Sequence, residues 1–365
     1  MLLFFPTTTA QTPPDHHYYN LIVQLPFTTS IEMRLHNCNT KGFTWNIHSE
    51  EERVGRIEDA HQVLDEMLER TVMKLTRNMR FHTSNLEDIN TFGNWLLDIG
   101  EGKVEGLNDG ETIIDIPDDL LINDSFDPIG SLIEFVYPSI VENAKKSNFF
   151  QERAILTPKN EVVQEINDRL LSLFPGDVKE YLSADSLCHS DYLHTNFDES
   201  LYSPDVLNGL KPPSLSLHRL VLKVGVPVML LRNLDQKAGL CNGTRLLVLA
   251  LGKRVVEAEI ISGSNIGTRT FIPRMSLTPS DKRIPFKFKR RQFPLAVCFA
   301  MTINKSQGQS LSKVGLYVFT HGQLYVALSR VKSRDELKLL ILDKEKKLTN
   351  KTCNVVFKEV FDRIE

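Results

Sequence analysis

The sequence predicts an α/β protein: a parallel sheet flanked by helices and interrupted by a small antiparallel barrel. Three observations carry this. RAILTPKN (Arg153–Asn160) is an apolar strand running into a polar turn, and EVVQEINDRLLSLF continues at helical spacing, one strand–turn–helix unit of a parallel sheet. From Leu217 to about Arg291 the pattern changes to dense short strands rich in Val, Ile and Leu, with Gly turns between them. Val314–Phe319 is an apolar run bounded by turn residues and reads as a buried strand.

The chain has 365 residues, enough for two or three small domains with cores of their own. With 24% charged and 41% hydrophobic residues it has the composition of a soluble globular protein. A net charge of −3 gives no global pull toward nucleic acid, so any such binding must come from local patches. Five cysteines stand singly with no CxxC pair, which points to a reducing, intracellular setting and away from a zinc module. MLLFF is too short for a signal core, and no window reaches the roughly 18 apolar residues of a membrane span, so no membrane partner is expected.

Taken in order, residues 1–46 are poorly periodic, with TTTAQTPP a loop and FTTSIEMRLH a candidate strand. Val63, Met67 and Leu68 lie at helical spacing in a charged segment from Glu50 to Met73, which predicts an amphipathic helix. VLDEM (Val63–Met67) has the acids of a Walker B strand end but sits in that helical pattern, where two acids make a solvated face. Phe92, Trp95, Leu96 and Ile99 share a helical face closed by Gly100, and Trp95 is assigned to the core. Ile113–Pro117 reads as a short strand. DDLLINDSFD lacks the glycine and terminal Glu of a calcium loop and is an acid-rich turn. Leu132–Val136 starts a helix that Pro138 interrupts.

The helix after Asn160 presents Val163, Ile166, Leu170 and Leu173 as its apolar face. Glu180–Asn208 is loop-like; Cys188, His189 and His194 lie close together, but no fourth ligand follows at finger spacing and no metal is assigned. Ala250–Val256 reads as a hairpin with Gly-Lys at its turn, and Asn242-Gly243 is a second turn. KRIPFKFKRRQF (Lys282–Phe293) places six basic residues around Phe286 and Phe288. Two readings stand: cations neutralising phosphates while rings stack on bases of a single strand, or a solvated barrel edge with one charged face. Glu336–Leu342 gives a last buried strand, and Val355, Val356, Val360 and Phe361 a closing helix.

Most of the legible chemistry lies between Ala300 and Lys332. Thr302–Ser310 offers hydroxyl, amide, ammonium and glycine groups within nine residues. Leu324, Ala327 and Leu328 share one helix face, leaving Gln323, Ser329 and Arg330 nearer its exposed end. An Arg delivered by a rigid helix beside such a loop is how a triphosphate is clamped in trans.

TINKSQGQS (Thr302–Ser310) and GQLYVALSR (Gly322–Arg330) resemble the two C-terminal motifs of the petite-integration-frequency (PIF-type) DNA helicases. The closest resemblance is to the plant and Helitron-transposon branch, where Asn commonly stands at the Asn304 position. VGVPVMLLRNLDQKAGLCNGTRLLV and FGNWLLDIGEGK extend the similarity, which runs from about Thr71 to Leu342.

The resemblance implies an ATP-dependent 5′-to-3′ DNA helicase using ATP and Mg2+. Such a protein would act on single-stranded DNA in repair, recombination or telomere maintenance, and a nuclear setting is expected, with an organelle as the alternative. It implies RecA-like architecture with an SH3-like barrel insertion. The expected layout is a divergent segment 1–70, a connecting region 71–150, a second RecA-like domain in two parts (151–216 and 292–365), and the barrel between them at 217–291. Arg80, in LTRNMRF, and Arg330 would be the catalytic arginines. Gln307, Gly308 and Gln323 would face nucleotide; Thr157, Asn160, Thr302, Asn304, Lys305, Lys287 and Lys289 would face DNA. For Thr157 and Asn160 a plain N-cap and turn is an equal reading, and Tyr325 is assigned to packing its helix against the sheet. GxxxxGK[ST] occurs nowhere in the sequence. The expectation is therefore a truncated motor, its N-terminal half largely missing, inactive alone and needing a partner chain. The alternative is a non-catalytic single-strand-binding module or transposon relic.

Overall fold

The computed structural model describes residues 86–104, 111–144, 146–188, 203–212, 215–279, 284, 286–318, 323–343 and 345–356, plus five short strands before residue 86. Arg80, VLDEM, His189 and His194 lie outside the described residues. The chain forms two compact units, residues 1–128 with 316–365, and residues 129–315.

In the first unit, the helix Leu86–Gly100 buries Phe92, Leu96 and Ile99, one stripe at i, i+4 and i+7. Trp95 is half-buried and stacks on Phe92 at 5.7 Å. The strand Glu111–Asp115 pairs antiparallel with Lys351–Val355, with Ile114 opposite Thr352. Val355 thus closes a strand, where the start of a helix was expected, and Val360 and Phe361 of that helix lie outside the described residues: alternate residues Thr352 and Asn354 are buried, a period of two carried by polar side chains that hydropathy overlooks. The acid-rich turn after Leu120 is present, Asp124 Oδ1 accepting from the backbone N–H groups of Phe126 and Asp127. The strand Leu337–Ile341 is almost wholly buried. Near the N-terminus, Tyr19–Val23, Leu2–Pro6 and Met73–Lys74 form a three-stranded sheet, and Ser30–Ile31 pairs with Phe43–Thr44.

In the second unit, Arg153–Thr157 and Ala300–Thr302 pair in parallel, with Lys313–Val318 on the other side of Arg153–Thr157; the unit boundary falls inside that last strand. The helix Asn160–Leu173 covers this sheet through Val162, Ile166, Asn167, Leu170 and Leu171. That stripe differs from the expected one, and Leu173 is 52% exposed. Asn167 explains the difference. Its amide donates to the Val297 and Ala300 carbonyls and its Oδ1 accepts from Ala300 N–H, so a polar residue occupies a core position by satisfying a strand end.

A five-stranded antiparallel sheet follows the order Arg269–Pro273, Val255–Ile260, Arg245–Leu251, Pro227–Leu230, Leu295–Val297. The expected hairpin at Ala250–Val256 joins the second and third of these, closed by Gly252 N–H to the Val255 carbonyl. Gly243 ends the Asn-Gly turn at φ +92°, the left-handed region that glycine enters freely. The loop expected over Glu180–Asn208 is instead partly ordered structure. Lys179–Leu182 pairs with Arg219–Leu222, Ala184–Leu187 pairs with Phe288–Gln292, and Pro204–Gly209 is a short helix capped by the Ser203 side chain. Lys179–Leu182 buries one residue and Ala184–Leu187 fully buries only the side chain of Asp185, too little for a hydrophobic period to show.

Candidate functional site

The parallel pairing sets Thr157 directly opposite Thr302 at the C-terminal ends of two neighbouring strands. Ligands of open α/β sheets gather beyond this end of the strands. Thr157 is fully buried, and its Oγ1 has no hydrogen-bond partner among the described residues. The helix that follows starts at Asn160 with Lys159 in the N-cap position and no side-chain cap. Asn160 is therefore the first helical residue, exposed, rather than the cap. The first turn keeps backbone N–H groups and the positive end of the helix dipole for an anion.

After Thr302 the chain enters a tight helical turn, Ile303–Ser306, which exposes Asn304 and half-buries Lys305. Burial holds the Lys305 ammonium below the usual lysine range, a charge kept against desolvation. Gly308 follows at φ +77° with open space around its Cα. Gln309 donates weakly to the Lys305 and Gly243 carbonyls, both at 3.4 Å, joining this turn to the Asn-Gly turn of the five-stranded sheet. Thr157, Asn160, Thr302, Asn304, Lys305, Gln307 and Gly308 thus sit on the connections that leave two adjacent strands.

Lys287 and Lys289 stand elsewhere in this unit. Phe288–Gln292 alternates strictly: Phe288, Arg290 and Gln292 are buried, Lys289 and Arg291 exposed. Ring stacking in the first expected reading and the edge position in the second need correction, while the exposed charged face is present. Phe288 is 0% exposed and packs with Leu207 and Leu215, so its ring is not available to stack on bases. The strand is the middle one of three, between Met275–Leu277 and Ala184–Leu187, and so is not an edge. Arg290 turns inward to a bidentate pair with Asp185 at 2.6 Å, and donates further to the carbonyls of Leu207, Leu210 and Ser216. Sequence reasoning missed Asp185 because its partner is about a hundred residues away, with no local signal.

Arg245 was also missed. It is fully buried, and its guanidinium donates to the Gln151 carbonyl at 3.1 Å and the Arg153 carbonyl at 2.9 Å. It ties the start of its strand to the start of the parallel sheet. Burial pushes the thiol of Cys298 up, while the charge of Arg245 acts in the opposite sense.

In the other unit, Gln323 and Arg330 flank the helix Leu324–Leu328, every residue of which is buried. They too are buried, Arg330 at 1% exposure, where an exposed helix end was expected. The helix is only five residues long, so neither flank reaches beyond the surrounding core. Arg330 Nε donates to the Val326 carbonyl at 2.9 Å and a terminal nitrogen to Ser329 Oγ at 2.7 Å. Gln323 holds φ +88°, a conformation that costs a non-glycine residue about 1–2 kcal/mol. The Tyr325 ring lies against Gly100, where a Cβ would come within 2.7 Å of it.

The strand-end connections of the parallel α/β unit thus carry hydroxyl, amide and ammonium groups. Residues 205–251 match the family model for the 2B domain of the DNA helicase Pif1. The ATP-dependent DNA helicase PIF1 of Rattus norvegicus is 32% identical over 183 residues, 48% of this chain and 25% of the relative. The Pif1 of Bdellovibrio bacteriovorus is 33% identical over 147 residues, 39% of this chain and 32% of the relative. The crystal structure of Pif1 helicase from Candida albicans matches at a TM-score of 0.45 and 22% identity, over 75% of this chain and 57% of that one. The matched residues span about a quarter to a third of these curated relatives. Over these residues the chain is similar to Pif1 DNA helicases.

Proposed function

We propose that this chain is the second-motor-domain portion of a Pif1-type, ATP-dependent DNA helicase of the plant and Helitron branch, with an SH3-like insertion in a RecA-like fold. Its substrate is single-stranded DNA. The observation that carries the reading is the register of Thr157 against Thr302, which brings the two motif-bearing connections side by side. An uncapped helix start and a half-buried lysine in those connections suit a phosphodiester backbone. In this reading Thr157, Asn160, Thr302, Asn304 and Lys305 hold DNA, and Lys287 and Lys289 add to it.

The described residues do not by themselves make a site for ATP and Mg2+. GxxxxGK[ST] is absent from the sequence, and no group of three His, Cys, Asp or Glu side chains gathers among the described residues. Two donors of the Arg330 guanidinium are directed at its own helix and Ser329. The proposal therefore gives Arg80, Arg330, Gln307, Gly308 and Gln323 a nucleotide role only beside a phosphate cradle supplied by a partner or by further chain.

ATP hydrolysis by the purified chain, with and without oligo-dT and beside Arg330→Ala, tests this together with strand binding. Binding without turnover, weakened by Thr302→Val with Lys305→Met, is the expected result. DNA-stimulated turnover that Arg330→Ala abolishes would show a cradle within the chain and overturn the half-motor. Failure to bind any strand would overturn the DNA reading.

A further inference from the structure

The outer face of the three-stranded sheet is distinct from the strand-end connections described above. Its central strand presents Lys289 and Arg291 to solvent, two residues apart on one face and so about 6.8 Å along the strand. Arg291 lies opposite Ala184 on one neighbour and Ser276 on the other; Lys289 lies opposite Ser186. All three flanking residues are exposed, small and uncharged. Cross-strand neighbours of a cation normally include an acid, since opposite charges stabilise the pair and like charges in line repel. Here the one acid of the flanking strand Ala184–Leu187, Asp185, points inward and is engaged by Arg290. Lysines that guard a sheet edge against aggregation are a common alternative, but this strand is central and has no edge to guard.

We infer that this face is a track for the phosphate backbone of a single-stranded nucleic acid, read by charge alone. The described neighbours of the two cations on this face, Ala184, Ser186 and Ser276, are small, which suits the approach of a chain of phosphates. The rings that would read bases, Phe288 above all, face the core. Recognition is thus sequence-blind and makes no use of the sugar 2′ position, so RNA and DNA of equal length are held alike here. This rests on the reading that the chain handles a nucleic-acid strand and specifies how one surface does so.

The test is affinity of the full chain for oligo-dT, oligo-dA and oligo-rU as a function of salt, compared with the double variant Lys289→Ser with Arg291→Ser. A protein that neutralises two fewer phosphates of a single strand shows a slope of log affinity against log salt shallower by about 1.4. The expected result is that reduction for all three strands alike, with Lys289→Arg plus Arg291→Lys retaining the parental slope. Both variants change only exposed side chains, and a thermal melt equal to the parent's establishes that they are folded. An unchanged slope in the serine variant, with the parent binding normally, overturns the track and leaves the strand-end reading standing. A loss confined to one base or to DNA overturns charge-only recognition. A parent that binds no strand overturns both.

Discussion

Arg290 shows what one inward turn of a side chain does. On a strand of alternating burial its position falls on the core side, and a guanidinium there is tolerable only because Asp185 and three carbonyls take up its donors. Removing it strands the Asp185 carboxylate in the core. Arg290→Ala is expected to cost about 3–5 kcal/mol in urea unfolding, whereas Lys289→Ala on the same strand stays within about 0.5 kcal/mol. Equal effects would mean the burial pattern is wrong. Lys305 is the opposite case, a charge kept half-buried against its desolvation. Its pKa is lower folded than unfolded, so folding is penalised while the lysine is protonated, and stability rises as pH climbs through the lowered value toward the unfolded value of about 10.4. Lys305→Met is expected to gain about 1 kcal/mol at neutral pH, to lose that alkaline rise, and to bind oligo-dT less tightly. A variant that loses stability at pH 7 would show that Lys305 is held by a structural interaction instead. Neither residue announces its environment in the sequence. A lysine in TINKSQGQS is visible as chemistry, but its desolvation depends on what the fold places over it.

At the scale of elements, long periodic segments were legible and short or polar ones were not. The helix over Phe92–Ile99, the strand at Arg153, the hairpin at Gly252 and the buried strand at Leu337 all appear where hydropathy put them. The Asn160–Leu173 stripe was misread because Asn167 buries a polar side chain. The strands at Lys179 and Ala184 were missed because a four-residue strand offers too few alternations to count. Close approaches of elements are equally hidden, since a glycine in the sequence does not say what lies above it. Gly315 sits on a strand under the helix Pro128–Val136, and a Cβ there would meet Val136 at 2.8 Å and Leu132 at 2.9 Å. Both neighbours are fully buried and have little room to yield. Gly315→Ala is expected to cost about 1–3 kcal/mol through overpacking, read as a lowered urea midpoint with unchanged slope. A neutral result would show that the helix shifts freely on the sheet.

For the 129–315 unit as a whole, the question is whether its antiparallel and parallel sheets unfold as one body. Sequence reasoning separated them, since a run of short strands between two α/β segments looks like an insertion with a core of its own. The strand Leu295–Val297 closes the five-stranded sheet, and within three residues the same chain enters the parallel sheet at Ala300. Asn167 clamps that passage at the Val297 and Ala300 carbonyls, and Arg245 reaches from the antiparallel sheet to the carbonyls of Gln151 and Arg153. The Arg245 bonds cross between the two sheets, and Asn167, on the covering helix, holds a carbonyl of each, so opening either sheet leaves polar groups without partners. Arg245→Met keeps most of the volume but takes the guanidinium donors from both carbonyls. The loss is about 1–3 kcal/mol at Gln151 and less at Arg153, whose carbonyl keeps the Tyr137 hydroxyl at 3.2 Å. If the sheets are one cooperative body, this substitution lowers a single calorimetric transition for the unit and leaves its calorimetric and van't Hoff enthalpies in the parental ratio. If the antiparallel sheet is an independent domain, the variant splits the transition in two, with the early step reporting only the 227–297 strands. The second outcome would restore the insertion as a separate module, and Gln309, bridging its Asn-Gly turn to Lys305, would then be the link through which that module acts on the candidate site.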